Sequence, residues 1–81
     1  MRKRLSQLCE GELFTLLHIE YLKAGNFDLK SCIWVRGAYD NKKGRYLCYK
    51  YYDNDFKVYK HANKVVFVID DVNSINAVDN K

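Results

Sequence analysis

Residues 32 to 53 contain two apolar and aromatic segments that are separated by a short polar turn. Residues 32–40, CIWVRGAYD, are rich in β-branched and aromatic side chains, and residues 45–53, RYLCYKYYD, include four tyrosines. The intervening NKKG begins with Asn41 and ends with Gly44, which is typical of a hairpin turn. The pattern predicts an antiparallel hairpin.

Three further segments have the composition of strands. ELFTLLHI, residues 12–19, favours a strand, although its mixed period leaves a short helix open. FKVYKH, residues 56–61, follows a second predicted tight turn at residues 53–55. VVFVIDDV, residues 65–72, is a nearly continuous apolar run, which is typical of a strand covered on both faces. Together with the hairpin, these segments predict four or five strands in an all-β meander.

The segments outside the strands are predicted to be short turns, loops or tails. Residues 5–14 start with leucines three apart, which suits one helical or 3₁₀ turn before a break at Gly11. Residues 21–31 carry Gly25 and alternating charges, so we expect a long loop or an irregular excursion there. Residues 73–81 have no strand period and are predicted to be a flexible tail.

These elements predict a small barrel, because a short antiparallel sheet hides its edge strands best when it curls. We expect a single domain over residues 1–81 with an ordered core at about 5–72. Its predicted fold is a five-stranded SH3-like barrel, or a strongly curled sheet, with a short N-terminal helical turn. An OB-fold is less favoured, because no helix is evident between the third and fourth strands.

The predicted register of the hairpin decides which side chains share a face. A four-residue loop places Asp40 opposite Arg45, and side chains alternate from there. The resulting pairs include Gly37 with Cys48, Arg36 with Tyr49 and Trp34 with Tyr51. We expect the face with Trp34, Arg36, Tyr49 and Tyr51 to be displayed, with Arg36 against a tyrosine ring. The reverse assignment, which displays Tyr46, Lys50 and Tyr52, stays open.

Composition and charge narrow the class of protein. The chain has 81 residues, 48% of them hydrophobic and 15% aromatic, as in soluble globular domains. Its net charge of +4 favours anionic partners. The opening MRKR is expected to be a solvated terminus or a short basic arm. No apolar run approaches the roughly 18 residues of a membrane span, so no membrane partner is predicted.

Cysteine and histidine positions give no support for a metal or cofactor site. Three cysteines without a Cys-x-x-Cys motif fit neither a disulfide framework nor a zinc site, so we expect a reduced, cytoplasmic protein. His18 and His61 match no ligand spacing, and we predict no cofactor and no enzyme. Enzymatic activity would require a closed pocket with one of these histidines beside Cys48 or a carboxylate.

We therefore predict a small non-enzymatic binding module that uses a basic, aromatic-rich sheet face, with nucleic acid as the first candidate partner. Displayed rings can stack on bases while lysines and arginines contact phosphates. The candidate binding residues are Trp34, Arg36, Arg45, Tyr49, Lys50, Tyr51, Lys57 and Lys60. Each single tyrosine also has an ordinary explanation, because tyrosine is favoured in sheets for packing alone.

A second class of function stays open beside nucleic-acid binding. The chain could be a protein-interaction or inhibitor module from a mobile element, with the tyrosine patch or an edge strand as its contact. The same two features could join copies of the chain into a homo-oligomer. Salt separates the classes, because nucleic-acid binding weakens steeply as salt rises.

Several core and turn positions also resemble a known group of proteins. They are Leu5, Leu8, Gly11, Glu12, Phe14, residues 34–37, Tyr39, Asp40, Tyr46, residues 48–50 and residues 66–68. In this order they are similar to small uncharacterised bacterial and phage-associated proteins with an SH3-like barrel. The resemblance spans residues 5–69 and implies the barrel but no activity. The longer segment at residues 20–31 departs from it.

Overall fold

The computed structural model describes residues 2–69, which form one antiparallel sheet of six strands. The strands are β1 (Arg2–Arg4), β2 (Leu13–Thr15), β3 (Trp34–Asp40), β4 (Arg45–Lys50), β5 (Asp53–His61) and β6 (Val65–Ile69). Their order across the sheet is β1-β6-β2-β3-β4-β5. The all-β prediction is confirmed. The predicted tail at residues 73–81 lies outside the described residues.

The sheet has six strands rather than the predicted five because the basic segment at the start is itself a strand. Arg2, Lys3 and Arg4 pair with Phe67, Val66 and Val65 of β6. This segment is therefore an edge strand and not a free arm. The predicted helical turn follows it as the 3₁₀ turn Leu5–Gln7, and Gly11 breaks the chain with a φ of 94°.

The segment between β2 and β3 is partly helical, so the prediction of a long loop is wrong. Helix α1 spans Ile19–Ala24, and a second 3₁₀ turn spans Leu29–Cys32. The His18 ring caps α1, because its Nδ1 accepts the Glu20 N–H at 3.1 Å. One helical turn places Ile19 and Leu22 on the same side, and this short apolar stripe was masked by the charged residues around it.

Two hydrophobic clusters lie on opposite faces of the sheet. The inner face is the one that carries Phe14, Trp34, Cys48 and Val66, and these residues pack with Leu5 and Leu8. The outer face carries Leu13, Val35 and Tyr49, as the cross-strand pairs require. Its cluster consists of buried Leu22, Leu29 and Ile33 with Leu13, Ile19, Cys32 and Ile69 packed against them.

The predicted hairpin between β3 and β4 is present, and its turn is the predicted one. Asp40 pairs with Arg45 across the turn. The Asp40 carboxylate accepts the N–H groups of Lys42 and Lys43 at 2.9 and 3.0 Å. Gly44 has a φ of 64°, a backbone conformation that glycine adopts without steric cost.

Further along the hairpin, the register differs from the prediction by one residue. The observed pairs are Trp34 with Lys50, Val35 with Tyr49 and Arg36 with Cys48. The predicted pairs Gly37 with Cys48, Arg36 with Tyr49 and Trp34 with Tyr51 are wrong. The cause is a bulge in β3 between Arg36 and Tyr39, where one strand has an extra residue relative to its partner.

Gly37 is the residue that permits this bulge. A Cβ atom at this position would lie 2.7 Å from the Leu47 carbonyl oxygen, closer than such atoms approach in proteins. Glycine therefore lets β3 and β4 come together where the ladder is interrupted.

The turn between β4 and β5 also lies two residues earlier than predicted. Tyr51 and Tyr52 occupy the turn, and Asp53 already pairs with Lys50. The predicted turn at residues 53–55 is therefore the start of β5. A second irregularity between Tyr49 and Lys50 brings Lys57 opposite Tyr49.

Of the β6 residues, Val66 is buried whereas Val65 is 47% exposed, so the prediction of a strand covered on both faces is wrong there.

Candidate nucleic-acid interface

The predicted binding residues divide between the two faces of the sheet. The inner face holds Trp34, Arg36, Lys50 and Lys60, and the outer face holds Arg45, Tyr49 and Lys57. Tyr51 lies in the β4–β5 turn, where its ring meets Tyr52 edge to face at 4.8 Å. The predicted single displayed face of Trp34, Arg36, Tyr49 and Tyr51 is therefore wrong, because the bulge at Gly37 separates its members.

Trp34 belongs to the core rather than to a displayed surface. Its side chain is only 7% exposed and packs in the inner cluster with Phe14 and Cys48. Phe56 approaches its ring edge to face, with 5.8 Å between the ring centres. Trp34 can therefore stabilise the fold and support neighbouring groups, but a base cannot stack on it in this conformation.

The inner face carries cations that rest on aromatic rings. The Arg36 guanidinium lies 4.0 Å from the centre of the Tyr46 ring, and its NH1 group donates to the Gly37 carbonyl oxygen at 3.1 Å. The Arg36 Nε atom is buried and has no hydrogen-bond partner within the described chain. This part of the inner face therefore has an unsatisfied donor beside a cation–π contact.

Two lysines share the Trp34 ring on the same face. The Lys60 Nζ lies 4.7 Å from the Trp34 ring centre, and the Lys50 Nζ lies 5.4 Å from it. Lys50 also lies 4.7 Å from the Phe56 ring centre. Within residues 2–69, neither ammonium group has a carboxylate at ion-pair distance. We call Trp34, Phe56, Lys50 and Lys60 the tryptophan cluster.

Burial changes the titration of two neighbouring groups on the inner face. Desolvation raises the pKa of the Cys48 thiol from 9.0 to about 11, although the nearby charges of Lys60 and Arg36 oppose this shift. Desolvation lowers the pKa of Lys60, and Lys64 adds to that effect while Cys48 opposes it. Cys48 is therefore a buried neutral thiol, and not an activated nucleophile.

The outer side of β4 and β5 presents a mixture of rings and cations. Three cross-strand pairs define it: Arg45 with His61, Leu47 with Tyr59, and Tyr49 with Lys57. Lys43 extends from the hairpin turn, and its Nζ lies 4.9 Å from the Tyr59 ring centre. We call these six strand residues and Lys43 the ribbon face.

The ribbon face is partly exposed, and among residues 2–69 the outer cluster does not reach it. That cluster is built on β2, β6 and the α1 segment, and it includes no residue of β4 or β5. Tyr59 is 39% exposed, while Leu47 and Tyr49 are half-buried. A surface pocket of about 290 Å³ is lined by Tyr49, Lys57 and Asp55.

The predicted binding residues do not include Lys43 and Tyr59, which complete the ribbon face. For the NKKG turn that contains Lys43, the sequence leaves open a phosphate contact or a solvated turn, and Tyr59 is predicted only as part of a strand. The available signal was the pairing of β4 with β5: once Arg45 is placed opposite His61, alternation brings Tyr59 opposite Leu47. That pairing depends on where the second turn lies, and the predicted turn was two residues too late.

The described residues supply no group of side chains typical of a metal site. Within residues 2–69, no group of three or more His, Cys, Asp or Glu side chains could hold a metal ion. His61 lies on the outer face and its Nδ1 accepts the Asn63 N–H at 3.2 Å, whereas Cys48 lies on the inner face. His18 is exposed and caps α1. These histidines are therefore not placed beside Cys48.

In the part of the chain that the structure describes, no helix has the length and apolar character needed to cross a bilayer. Comparison of the chain with protein-family models, with curated proteins and with solved structures found no match.

Proposed function

We propose that the protein is a small non-enzymatic module that binds single-stranded nucleic acid through the ribbon face. The observation that carries the proposal is the combination of an exposed ring, Tyr59, with three cations, Lys43, Arg45 and Lys57, on an open sheet surface. Every base has a flat face that can stack on a ring, and every nucleotide link carries a phosphate.

The charges of the ribbon face are available to such a partner. Lys43, Arg45 and Lys57 form no ion pair with a described carboxylate. Asp40, which pairs with Arg45 across the turn, uses its carboxylate to accept backbone N–H groups. The cations can therefore contact phosphates without first breaking a salt bridge.

Half-buried residues make the ribbon face rigid. Leu47 and Tyr49 are half-buried, and Val35, which pairs with Tyr49 across the strands, is 6% exposed. A base that stacks on Tyr59 would lie on a surface already ordered by the sheet, so binding would lose little side-chain entropy. This arrangement supports strand binding along β4 and β5 more than binding in a deep pocket.

The proposed architecture is an SH3-like barrel with one added edge strand. Support comes from the strand order: without β1, the sheet reads β6-β2-β3-β4-β5, a meander whose last strand returns beside its first. The long connection between β2 and β3 contains α1 and the second 3₁₀ turn. We further propose a cytoplasmic location, because the thiols of Cys9, Cys32 and Cys48 are free.

The test is a titration of fluorescently labelled oligonucleotides, followed by anisotropy at 50 and 200 mM salt. We expect Tyr59→Ala to weaken binding by about 1–3 kcal/mol because one stacking platform is lost, and Tyr59→Phe to retain most of the affinity. The matched charge control is Lys23→Gln, which removes a cation on α1 that already pairs with Glu20 at 3.3 Å. Absence of salt-sensitive binding in the wild-type protein would refute the proposal.

A second candidate function, binding of a protein strand, is favoured by the edge of β5. This nine-residue strand pairs with β4 on one side, and no described strand lies on its other side. Such an edge can accept a strand of a protein partner or of a second copy. This binding would change little with salt, and sedimentation at increasing protein concentration would reveal a second copy.

A further inference from the structure

A surface pocket on the ribbon face combines apolar and polar groups. Leu47 and Tyr49 of β4 line it together with Asn54, Asp55 and Lys57 of β5, and its volume is about 290 Å³. This volume is close to the lower end of the roughly 300–1,000 Å³ that is typical of small-molecule pockets, so the pocket suits one nucleobase rather than a larger ligand. Because Leu47 pairs with Tyr59, the pocket adjoins the exposed ring on which a neighbouring base would stack.

An irregularity in β5 supplies the polar side of this pocket. In the register of the two strands, residues 54–56 of β5 have no partner on β4. Phe56 turns to the inner face, where its ring centre lies 5.8 Å from that of Trp34. Asn54 and Asp55 line the pocket on the outer face instead. Bulges redirect side chains from the regular alternation of a strand, and they are common beside functional sites.

The polar groups of Asn54 and Asp55 are available to a ligand. Both residues are exposed, and among residues 2–69 neither side chain has a hydrogen bond or an ion pair. A carboxylate has two acceptor oxygens and no donor, whereas a side-chain amide has a donor and an acceptor. The wall of the pocket therefore offers a pair of acceptors and at least one donor.

We propose that this pocket selects guanine among the bases of a bound strand, an inference that rests on the proposed function. The Watson–Crick edge of guanine presents one acceptor, O6, and two adjacent donors, N1–H and N2–H. Asp55 accepts from the two donors, Asn54 donates to O6, and Lys57 contacts the adjoining phosphate. Leu47 and Tyr49 give the base an apolar and aromatic surface to lie on.

The other bases match these groups less well. Cytosine and adenine each present one amino group next to a ring nitrogen that only accepts, and this nitrogen would face the second oxygen of the Asp55 carboxylate. Uracil and thymine present one N–H between two carbonyl acceptors, so a carboxylate that accepts from the N–H also meets a carbonyl oxygen. Repulsion between acceptors lowers the affinity of these bases relative to guanine.

The experiment compares labelled oligonucleotides that differ in one base. The full chain is titrated with thymidine pentanucleotides that carry guanine, adenine, cytosine or thymine at the central position, and binding is followed by anisotropy. We expect the guanine oligonucleotide to bind about 5- to 150-fold more tightly than the others, because a bidentate contact discriminates bases by about this factor. A fifth oligonucleotide carries hypoxanthine, which lacks only the 2-amino group, and it should lose most of the preference.

Two aspartate variants separate base recognition from a general effect of charge. Asp55→Asn removes the carboxylate from the pocket and should reduce the preference for guanine to less than about threefold. Asp53→Asn is the matched control, because Asp53 lines a different pocket beside Lys50 and Phe56, and it should keep the preference. Both variants lose one negative charge, so both should bind the all-thymine oligonucleotide slightly more tightly. Far-ultraviolet circular dichroism confirms that each variant is folded.

The guanine pocket and the proposed function can fail separately. A preference for guanine that is lost in Asp55→Asn and kept in Asp53→Asn supports the pocket. Equal affinity for the five oligonucleotides, or a preference for another base, refutes the pocket while the protein still binds nucleic acid. A preference for guanine that persists in Asp55→Asn also overturns the inference. If no oligonucleotide binds, both the pocket and the proposed function are refuted.

Discussion

The two faces of the β4–β5 ribbon carry similar residues, but they differ in what covers them. On the inner face, Leu5 and Leu8 pack with Trp34 and Cys48, so the Trp34 ring and the Cys48 thiol are buried in a core. On the outer face, the cluster built around Leu22 ends before β4, and Tyr59 stays exposed.

This difference separates the consequences of substitution on the two faces. Buried inner-face side chains pack against the core, so substitution of these residues should lower the free energy of unfolding. Ribbon-face residues contact solvent on one side, so their loss should mainly change binding. The comparison also explains why composition alone is ambiguous, since aromatic and basic residues occur on both faces.

The largest expected effect is that of Trp34→Ala. Removal of this buried ring should lower the free energy of unfolding by about 3–5 kcal/mol, because it leaves a cavity beside Phe14 and Cys48. Tyr59→Ala should cost less than about 1 kcal/mol, because that ring is exposed. Urea unfolding followed by circular dichroism measures both. Equal losses would contradict the distinction between the buried ring of Trp34 and the exposed ring of Tyr59.

The second expected effect is a fall in the free energy of unfolding at alkaline pH, caused by ionisation of Cys48 on the inner face. The pKa of Cys48 is about 11 in the folded protein against 9.0 for an ordinary thiol. A raised pKa means that the folded state holds its proton longer than the unfolded state. Stability is therefore fully present below pH 9 and is lost as pH rises to about 11, by about 2–3 kcal/mol.

Cys48→Ala provides the control for this pH dependence, because alanine cannot ionise. Unfolding free energies measured between pH 8 and pH 11 should fall less steeply in the variant. The lowered pKa of Lys60 acts in the opposite direction, since a depressed lysine pKa makes the folded state more stable as pH rises. An identical fall in both proteins would show that Cys48 is not the group responsible.

The third prediction tests the bulge at Gly37, which determines the face on which each residue of the hairpin lies. Gly37→Ala should lower the free energy of unfolding by about 1–3 kcal/mol, because the added Cβ meets the Leu47 carbonyl at 2.7 Å. Gly25→Ala is the matched control. Its new Cβ would lie 2.5 Å from an atom of the exposed Phe27 ring, which can move aside, and at an ordinary 3.5 Å from the Tyr21 carbonyl oxygen. Comparable losses in urea unfolding would argue against a close approach of β3 and β4.

The smallest expected effect is a change in the salt dependence of oligonucleotide binding. Each phosphate contact to a single strand contributes about −0.7 to the slope of log affinity against log salt. Lys57→Gln should therefore make the slope less negative by about 0.7, whereas Lys23→Gln should leave it unchanged. Anisotropy titrations at several salt concentrations measure the slope. No difference between the variants would remove Lys57 from the interface.

Much of the hairpin was predictable because its signals are local. Asn41 to Gly44 form a turn whose type follows from the residues themselves, and Asp40 pairs with Arg45 as expected. The predicted assignment of side chains to the two faces is wrong a few residues away. Side chains were assumed to alternate regularly through Gly37, where the strand has a bulge. A glycine inside a strand pattern is a recognised sign of a bulge, but it does not tell whether the strand slips there.

The candidate site was less predictable than the strands. Of the eight predicted residues, Arg45, Tyr49 and Lys57 meet on the ribbon face, while the inner face brings together Trp34, Arg36, Lys50 and Lys60. Lys43 and Tyr59 meet only through the pairing of β4 with β5 and the fold of the turn. These contacts depend on strand register, which a one-residue slip reverses.

The amino-acid sequence by itself determined that the chain forms antiparallel strands, where the first hairpin turns, and that rings and cations are concentrated in the central ribbon. Turn residues and β-forming side chains act over a few positions, so they need no distant partner. Only the tertiary structure decided which side of the ribbon is closed. That outcome depends on Leu5 and Leu8 reaching one face from a distant turn, and on α1 covering only part of the other.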